Sequence, residues 1–168
     1  MESLNHFSIP IQGLKDGVHP FKFQVDPAFF QHFAESPIEA GSFEVNLSFD
    51  KRPDMLVLDF SLNGTVRTAC DRCLTDIDLP VEDQQQLIFK YGLVEKENAE
   101  VVYLLRDTSE LNVSKYIYEY ICLALPMIKL CEEGNPDACN DEMTKYLGRE
   151  EKDPDTNNPI WDQLKNLK

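Results

Sequence analysis

Residues 42–70, with the sequence SFEVNLSFDKRPDMLVLDFSLNGTVRTAC, decide the fold, because apolar side chains occupy every second position over long stretches. A period of two places those side chains on one face of a β-strand. The alternation breaks at the turn-forming residues 51–54 and resumes from Leu56 to Leu62. The pair Asn63-Gly64 tolerates positive φ and is typical of a hairpin turn, after which the alternation continues to Cys70. The stretch therefore predicts an antiparallel meander.

Further elements are predicted on both sides of this meander. Residues 21–25 alternate and predict a strand, which Asp26 and Pro27 follow as the cap and first turn of a short helix. Apolar residues then fall on odd positions from Ile77 to Tyr91, which predicts a long strand with a bulge near Asp83. Residues 101–104 predict one more short strand.

A single helix is predicted over residues 113–125. Asn112 or Ser109 can cap it, its apolar residues follow a helical period, and Pro126 ends it. The fold class expected is α+β, with an antiparallel, partly barrel-like β-sheet, one main packed helix and a short C-terminal tail helix. We expect one domain over residues 1–147, followed by a flexible acidic linker and amphipathic tail over residues 148–168.

The charge of the chain limits the kinds of partner it can bind. Its 168 residues include 30 acidic and 16 basic ones, so the formal net charge is −14. Such a chain repels nucleic acid unless a local basic patch overrides the total, and it attracts a basic partner. The N-terminal residues do not read as a secretory signal and the apolar runs are short, so we expect a soluble, cytoplasmic protein.

The sharpest local motif is Cys70-Asp71-Arg72-Cys73. A two-residue gap lets two thiolates converge on one tetrahedral metal ion, and Cys131 and Cys139 can supply the other two ligands of a zinc site. Their seven-residue gap is looser than that of a standard second pair. Free structural thiols and redox chemistry remain open as alternatives, whereas Cys122 is interpreted as a core side chain of the helix.

Other candidate sites are weaker. The three histidines are scattered, and the sequence has no glycine-rich phosphate loop, nucleophile elbow or metalloprotease motif. Four basic residues could form a small positive patch: Lys51, Arg52, Arg67 and Arg72. The favoured interpretation is that they balance the surface charge. We therefore expect no enzyme.

The order of these motifs resembles the YceD family of bacterial and plastid proteins. The matching residues are the run Cys70-Asp71-Arg72-Cys73-Leu74, the helix end 119–126, Cys131, Cys139 and a tail with an aromatic residue and spaced leucines. The resemblance implies a role in accumulation of the large-subunit ribosomal RNA, in a family with no established enzymatic activity. Many members carry two Cys-x-x-Cys pairs, and the second pair of this chain departs from that spacing.

Three functional hypotheses follow. The first is a factor in ribosome biogenesis that binds a basic large-subunit ribosomal protein or a precursor particle through the acidic residues 132–155 and a tail containing Trp161, Leu164 and Leu167. The second is a module that binds precursor ribosomal RNA directly through Arg67 and Arg72. The third, and least favoured, is a thiol- or zinc-dependent enzyme. Zinc is the one cofactor that the sequence suggests.

Overall fold

The predicted meander forms the centre of a six-stranded sheet in the computed structural model, which describes residues 3–34, 36–92, 96–97 and 101–131. A 3-10 helix spans Ser3–Phe7, and the two α-helices are α1 (Pro27–Phe30) and α2 (Ser114–Ala124). The strands, in chain order, are β1 (Ser8–Pro10), β2 (Gly17–Val25), β3 (Ala40–Lys51), β4 (Met55–Ala69), β5 (Asp76–Gly92), β6 (Lys96–Glu97), β7 (Val101–Leu105) and β8 (Glu110–Asn112). The α+β class is confirmed.

The large sheet has the strand order β2-β3-β4-β5-β7-β6. Its neighbours are antiparallel except β5 and β7, which run parallel. The strands β2 and β6 are its two edges, and the described strands form no closed barrel, so the barrel-like part of the prediction is not confirmed. The turn before β4 forms where the sequence predicts it, closed by a hydrogen bond from the Arg52 N–H to the Met55 carbonyl (2.9 Å).

The hairpin predicted at Asn63-Gly64 is wrong, because β4 runs unbroken through both residues. The Asn63 amide donates to a carboxylate oxygen of Glu82 on β5 (2.8 Å) instead of turning the chain. A Cβ atom on Gly64 would run into the carbonyl oxygen of Ser42 and the ring of Phe43 on β3. The glycine therefore allows a close approach of two strands, which is the other common reason for glycine inside a strand.

The long strand predicted from Ile77 to Tyr91 is confirmed, but the bulge predicted near Asp83 is wrong. The pairing of β4 with β5 keeps one register from Met55↔Lys90 to Ala69↔Asp76, and Asp83 faces Leu62 within it. Asp83 fits without a bulge because its carboxylate lies outside the core and accepts a hydrogen bond from the Gln85 amide (2.8 Å).

Helix α1 begins where the sequence predicts, and α2 begins at Ser114, one residue later than predicted. The Asp26 carboxylate accepts a hydrogen bond from the Phe29 N–H (3.0 Å), which caps α1. The Asn112 side chain accepts from the Ser114 N–H (2.9 Å) and hydroxyl (2.6 Å) at the start of α2. The helix ends at Ala124, one residue earlier than predicted, because the residue before a proline favours an extended backbone.

The core lies between one face of the large sheet and α2. Ile117 and Ile121 of the helix are fully buried there. Tyr120 meets Phe60 of β4 edge to face, with 5.3 Å between ring centroids. The small β1–β8 sheet covers the same side of the core, and β8 leads directly into α2. The topology thus places the end of α2 and the residues after it beside the sheet.

None of the helices in the described ranges is long and apolar enough to cross a membrane. The predicted tail helix and the predicted domain boundary at residue 147 both lie outside the described residues.

Candidate metal centre

The Cys70–Cys73 pair lies in the tight turn between β4 and β5. The Cys70 N–H donates to the Thr75 carbonyl (2.9 Å) and the Leu74 N–H donates back to the Cys70 carbonyl (2.9 Å), which closes the turn. Leu74 adopts a positive φ of 61°, a conformation that few non-glycine residues adopt. These bonds bring the two cysteines of the motif to the same side of the turn.

The chain after α2 returns to this turn and delivers a third cysteine. Lys129 makes two backbone contacts with Asp71: its carbonyl accepts from the Asp71 N–H (2.8 Å), and its N–H donates to the Asp71 carboxylate (2.7 Å). Two residues later, Cys131 packs against the turn. The segment that begins at Pro126 therefore has a defined position against the β4–β5 turn.

The three sulfur atoms form one buried group. Cys70, Cys73 and Cys131 have Sγ atoms that all lie within 4.8 Å of one another, and those of Cys73 and Cys131 are 3.3 Å apart. Each of the three residues is at most 3% exposed. In the part of the chain that the structure describes, this is the one group of histidine, cysteine or acidic side chains close enough to share a metal ion.

The other two cysteines of the sequence are Cys122 and Cys139. Cys139 lies outside the described residues. Cys122 is half-buried on α2 against the main core, which agrees with its interpretation as a packing residue. Its pKa is raised because burial disfavours the thiolate.

The pKa values of Cys70 and Cys131 shift in opposite directions. Burial raises the pKa of Cys70, but hydrogen bonds from the backbone N–H groups of Cys73 and Arg72 outweigh it and leave that pKa below its usual value. A hydrogen bond with Cys73, together with burial, raises the pKa of Cys131 to about 12. The turn thus stabilises one negative sulfur, and a second thiolate beside it is unfavourable without a positive charge.

The sulfur spacing fits a tetrahedral zinc ion. Zinc–sulfur bonds of about 2.3 Å place two ligating sulfurs about 3.8 Å apart. The separation of 3.3 Å between Cys73 and Cys131 is slightly shorter, and the upper limit of 4.8 Å for the group is longer. The Cys73–Cys131 separation would have to grow by about 0.5 Å, and any other pair would have to close by at most about 1 Å, so the three side chains could hold zinc with modest rearrangement.

The cysteine group forms a small core of its own. It contains the three cysteines and Ile77, with Leu130 packed against it, and is separate from the main core. The two segments that it joins also display exposed apolar side chains: Leu74 is 68% exposed, Ile128 65% and Met127 99%. Leu74 belongs to the run that carries the family resemblance, whereas Met127 and Ile128 are in none of the motifs identified from the sequence. The apolar pair directly after Pro126, outside any helical period, was the available signal.

The four basic residues considered as a patch do not form one. Lys51 and Arg52 lie before β4, whereas Arg67 and Arg72 lie at its far end, up to about 40 Å away at about 3.3 Å per residue. Arg52 pairs with Asp50 (2.7 Å) and Arg67 with Asp76 (3.6 Å). The predicted contact residues of the tail, Trp161, Leu164 and Leu167, lie outside the described residues.

Comparison with known proteins gives one match. Searches of curated proteins and of solved structures found no match to this chain. A scan against protein-family models matches residues 58–168 to the family described as "Large ribosomal RNA subunit accumulation protein YceD". The matched region begins within β4, contains all five cysteines and covers well over half of the chain. The resemblance noted from the sequence is therefore confirmed: the chain belongs to the YceD family.

Proposed function

We propose that this protein supports accumulation of the large-subunit ribosomal RNA as a binding factor, by contacting a basic ribosomal protein or a precursor particle. The description of the matching family, which names large ribosomal RNA subunit accumulation, supports this proposal. The net charge of −14 is the observation that carries the choice of partner. Opposite electrostatic potentials speed encounter between an acidic factor and a basic protein, and they penalise contact with bare phosphate.

The acidic character extends over the whole chain. Residues 1–131 contain 20 acidic and 11 basic side chains, and residues 132–168 contain ten and five. Several cations of the described part are also neutralised locally, since Lys22 pairs with Glu44 (3.8 Å) and Lys115 with Glu119 (3.7 Å). The folded part therefore contributes to the negative potential, and the proposal does not depend on the C-terminal residues alone.

The separation of the basic residues disfavours direct RNA binding. Non-specific affinity for RNA grows with the number of phosphates that lysine and arginine side chains contact. Arg67 is paired with Asp76 and lies at the opposite end of β4 from Lys51 and Arg52. These residues cannot line a single short stretch of RNA backbone.

Exposed apolar side chains offer a second kind of contact. Leu74, Met127 and Ile128 lie on the two segments that the cysteine group joins, and we define them as the apolar surface. Interfaces typically combine a few apolar anchors with a polar surround. We also propose contacts in the C-terminal part of the chain. They are the acidic residues 132–155, which follow Cys131 directly, and the tail residues Trp161, Leu164 and Leu167.

A groove on the outer face of the sheet offers a further surface on which a partner could bind. It has a volume of about 610 Å³ and crosses β2 to β5, and half of the residues that line it carry amide or hydroxyl side chains. Its charged residues are Lys22 and Asp59, and the Asp59 carboxylate accepts a hydrogen bond from the Gln86 amide (2.7 Å). Hydrolytic sites usually need paired carboxylates, a metal or an activated nucleophile, and this lining supplies none of these.

Affinity capture from a cell extract tests the proposal. The tagged full chain is incubated with extract at low and at high salt, and the recovered proteins and RNA are identified. We expect large-subunit ribosomal proteins or precursor particles at low salt and their loss at high salt, because screening weakens charge attraction. Recovery of no ribosomal protein or particle at low salt would contradict the proposal.

A nuclease treatment separates protein contacts from RNA contacts. If the partner is a ribosomal protein, capture of that protein survives digestion of the RNA. Capture that disappears with the RNA would favour the direct RNA-binding hypothesis. The double variant Met127→Ser and Ile128→Ser tests the apolar surface separately from charge. It leaves the net charge unchanged, and we expect it to lower recovery of the partner if the apolar surface takes part.

A further inference from the structure

We infer that the groove on the outer face of the large sheet binds an extended, lysine- or arginine-rich segment of the basic partner. This inference rests on the proposed function, and it adds the surface and the chemistry of one contact. The residues that line the groove come from the four strands β2 to β5, with three consecutive positions on each strand.

The groove runs across the strands, between two rows of outward-facing side chains. Strand pairing aligns the first row, which consists of Lys22, Asn46, Ser61 and Gln84. It also aligns the second row, which consists of Pro20, Ser48, Asp59 and Gln86. The positions between the rows include Leu47 and Phe60, whose side chains are buried in the core on the other face. The backbone at these positions therefore forms the floor of the groove.

The dimensions of the groove fit an extended polypeptide. The two rows are two residues apart along each strand, which is about 6.7 Å, whereas an α-helix with its side chains is about 10 Å wide. Four strands spaced about 4.8 Å apart give a length of about 14 Å, which four or five extended residues span. A bound segment would thus cross the strands and would not add a strand to the sheet.

The side chains of the two rows can pair with the backbone of such a segment. Five of them carry a carboxamide or a hydroxyl: Asn46, Ser48, Ser61, Gln84 and Gln86. Asn46 donates to Glu44 (3.1 Å) and Gln86 donates to Asp59 (2.7 Å), which leaves both carboxamide oxygens available to accept from a bound N–H group. Contacts of this kind hold a peptide backbone without selecting its sequence.

The charges beside the groove select a cationic segment. Lys22 is the one lysine or arginine among the lining residues, and it pairs with Glu44 (3.8 Å). Asp59 lies in the other row, and a smaller hollow that shares two lining residues with the groove adds Glu82 and Asp83. Three carboxylates therefore lie near one paired cation, so the local potential attracts lysine and arginine and repels the phosphates of RNA.

The three carboxylates are held in place by neighbouring amides. Asp59 accepts from Gln86, and Glu82 accepts from the Asn63 amide (2.8 Å). Among the described residues, none of the three carboxylates forms an ion pair with a lysine or an arginine. A carboxylate can accept about four hydrogen bonds, so each retains positions for a charged donor of the partner. Such charge-assisted bonds are stronger than neutral ones.

Charge variants test the inference in the full chain, by titration against a basic large-subunit ribosomal protein that the wild-type chain binds. The double variant Asp59→Asn and Glu82→Gln removes two charges beside the groove and keeps the acceptors for the neighbouring amides. Its control, Asp54→Asn and Glu110→Gln, removes two exposed charges elsewhere. We expect the first to weaken binding by roughly two- to thirtyfold, the loss of two exposed ion pairs, and the control to change it by less than about twofold.

A second pair of variants fills the groove without changing the charge. Ser61→Tyr places a ring in the groove, and Thr65→Tyr places the same ring on the same face of β4 outside it. Tyrosine is favoured in strands, and the melting temperatures of both variants show whether each has folded. We expect Ser61→Tyr to weaken binding by at least about tenfold and Thr65→Tyr to leave it unchanged.

The outcomes separate this inference from the proposed function. If the wild-type chain binds a basic ribosomal protein and both groove variants bind it equally well, the groove inference is overturned and the proposed function stands. If the wild-type chain binds no basic ribosomal protein, the proposed function is contradicted and this inference falls with it.

A defined probe tests the chemistry of the bound segment. The probe is a short peptide of alternating lysine and alanine, and spermine is its comparison, because spermine is a linear cation without a peptide backbone. We expect the peptide to shift the side-chain amide NMR signals of Asn46, Gln84 and Gln86, and spermine to shift them less at the same concentration. Equal shifts with spermine, or larger shifts with a single-stranded RNA, would overturn the assignment of a peptide segment.

Discussion

At the scale of single residues, Leu74 and Gly64 illustrate two different local constraints, one on the backbone conformation and one on the space for a side chain. Leu74 adopts a positive φ that glycine would adopt without strain, yet its side chain projects into solvent. Strained residues held by the surrounding structure are common at functional positions. Gly64 shows the opposite case, because its lack of a side chain is required by packing and not by its φ.

Replacing Leu74 should separate stability from binding. In Leu74→Gly, relief of the left-handed backbone is opposed by the greater freedom of glycine in the unfolded chain, so the free energy of unfolding should change by less than about 1 kcal/mol. Recovery of the ribosomal partner should fall because one apolar contact is lost. Thermal melts and the capture assay measure the two effects, and full recovery would remove Leu74 from the contact surface.

Adding a methyl group at Gly64 should destabilise the sheet. In Gly64→Ala, the new atom meets the Ser42 carbonyl and the Phe43 ring, and overpacking of this kind costs about 1–3 kcal/mol. Gly13→Ala is the matched control, because no atom lies within 4 Å of a Cβ placed there. We expect a lower melting temperature for the first variant alone. Equal melting of the two variants would mean that β3 and β4 approach less closely.

At the scale of elements, period and capping made most of the fold predictable. The alternation in β3, β4 and β5 and the side chains of Asp26 and Asn112 indicated elements that the structure confirms. The hairpin at Asn63-Gly64 was mispredicted because turn chemistry and close strand packing select the same residue types. The parallel pairing of β5 with β7 and the β1–β8 sheet were not predicted, since they depend on contacts between residues far apart in the sequence.

The cysteine group was also predictable only in part. The spacing of Cys70 and Cys73 indicated a metal pair, and the structure brings Cys131 to that pair. The Asp71–Lys129 contacts that hold the third cysteine in place were not predictable, because both use backbone groups of Lys129, which lies 58 residues away in the sequence. The exposure of the Met127 side chain could not be predicted either, because it depends on the direction in which the chain leaves α2.

Helix α2 should depend on its buried face. Ile117→Ala or Ile121→Ala leaves a cavity in a fully buried position and should cost about 2–5 kcal/mol. The control is Leu123→Ala on the same helix, where the side chain is 72% exposed and little change is expected. Thermal or denaturant unfolding measures the difference. Near-wild-type unfolding of both isoleucine variants would refute the assignment of this core.

At the scale of the whole molecule, two features bear on function: the buried cysteine group and the charge. The cysteine group joins the β4–β5 turn to the segment that follows α2, so it links parts of the chain that are distant in sequence. The acidic charge is spread over the same molecule and favours a basic partner over RNA. These two features are independent, and each can fail without the other.

If the three clustered cysteines hold zinc, as their spacing allows, removal of that ion should lower thermal stability. A ligand present at 100 times its dissociation constant stabilises a folded protein by about 2.7 kcal/mol, which corresponds to a shift on the order of 5–10 °C for a chain of this size. A chelator should therefore lower the melting temperature of the wild-type chain by that amount. The Cys131→Ser variant provides the comparison, because its melting should not respond to the chelator. An unchanged wild-type melt would contradict a stabilising metal.

The most direct measurement of the central claim is a side-by-side titration of the purified chain with purified basic large-subunit ribosomal proteins and with precursor large-subunit ribosomal RNA, each at several salt concentrations. We predict saturable binding to at least one basic ribosomal protein, with an affinity that falls as salt rises, and no binding to the RNA alone. Tight binding to the RNA together with no binding to any of the proteins would contradict the account.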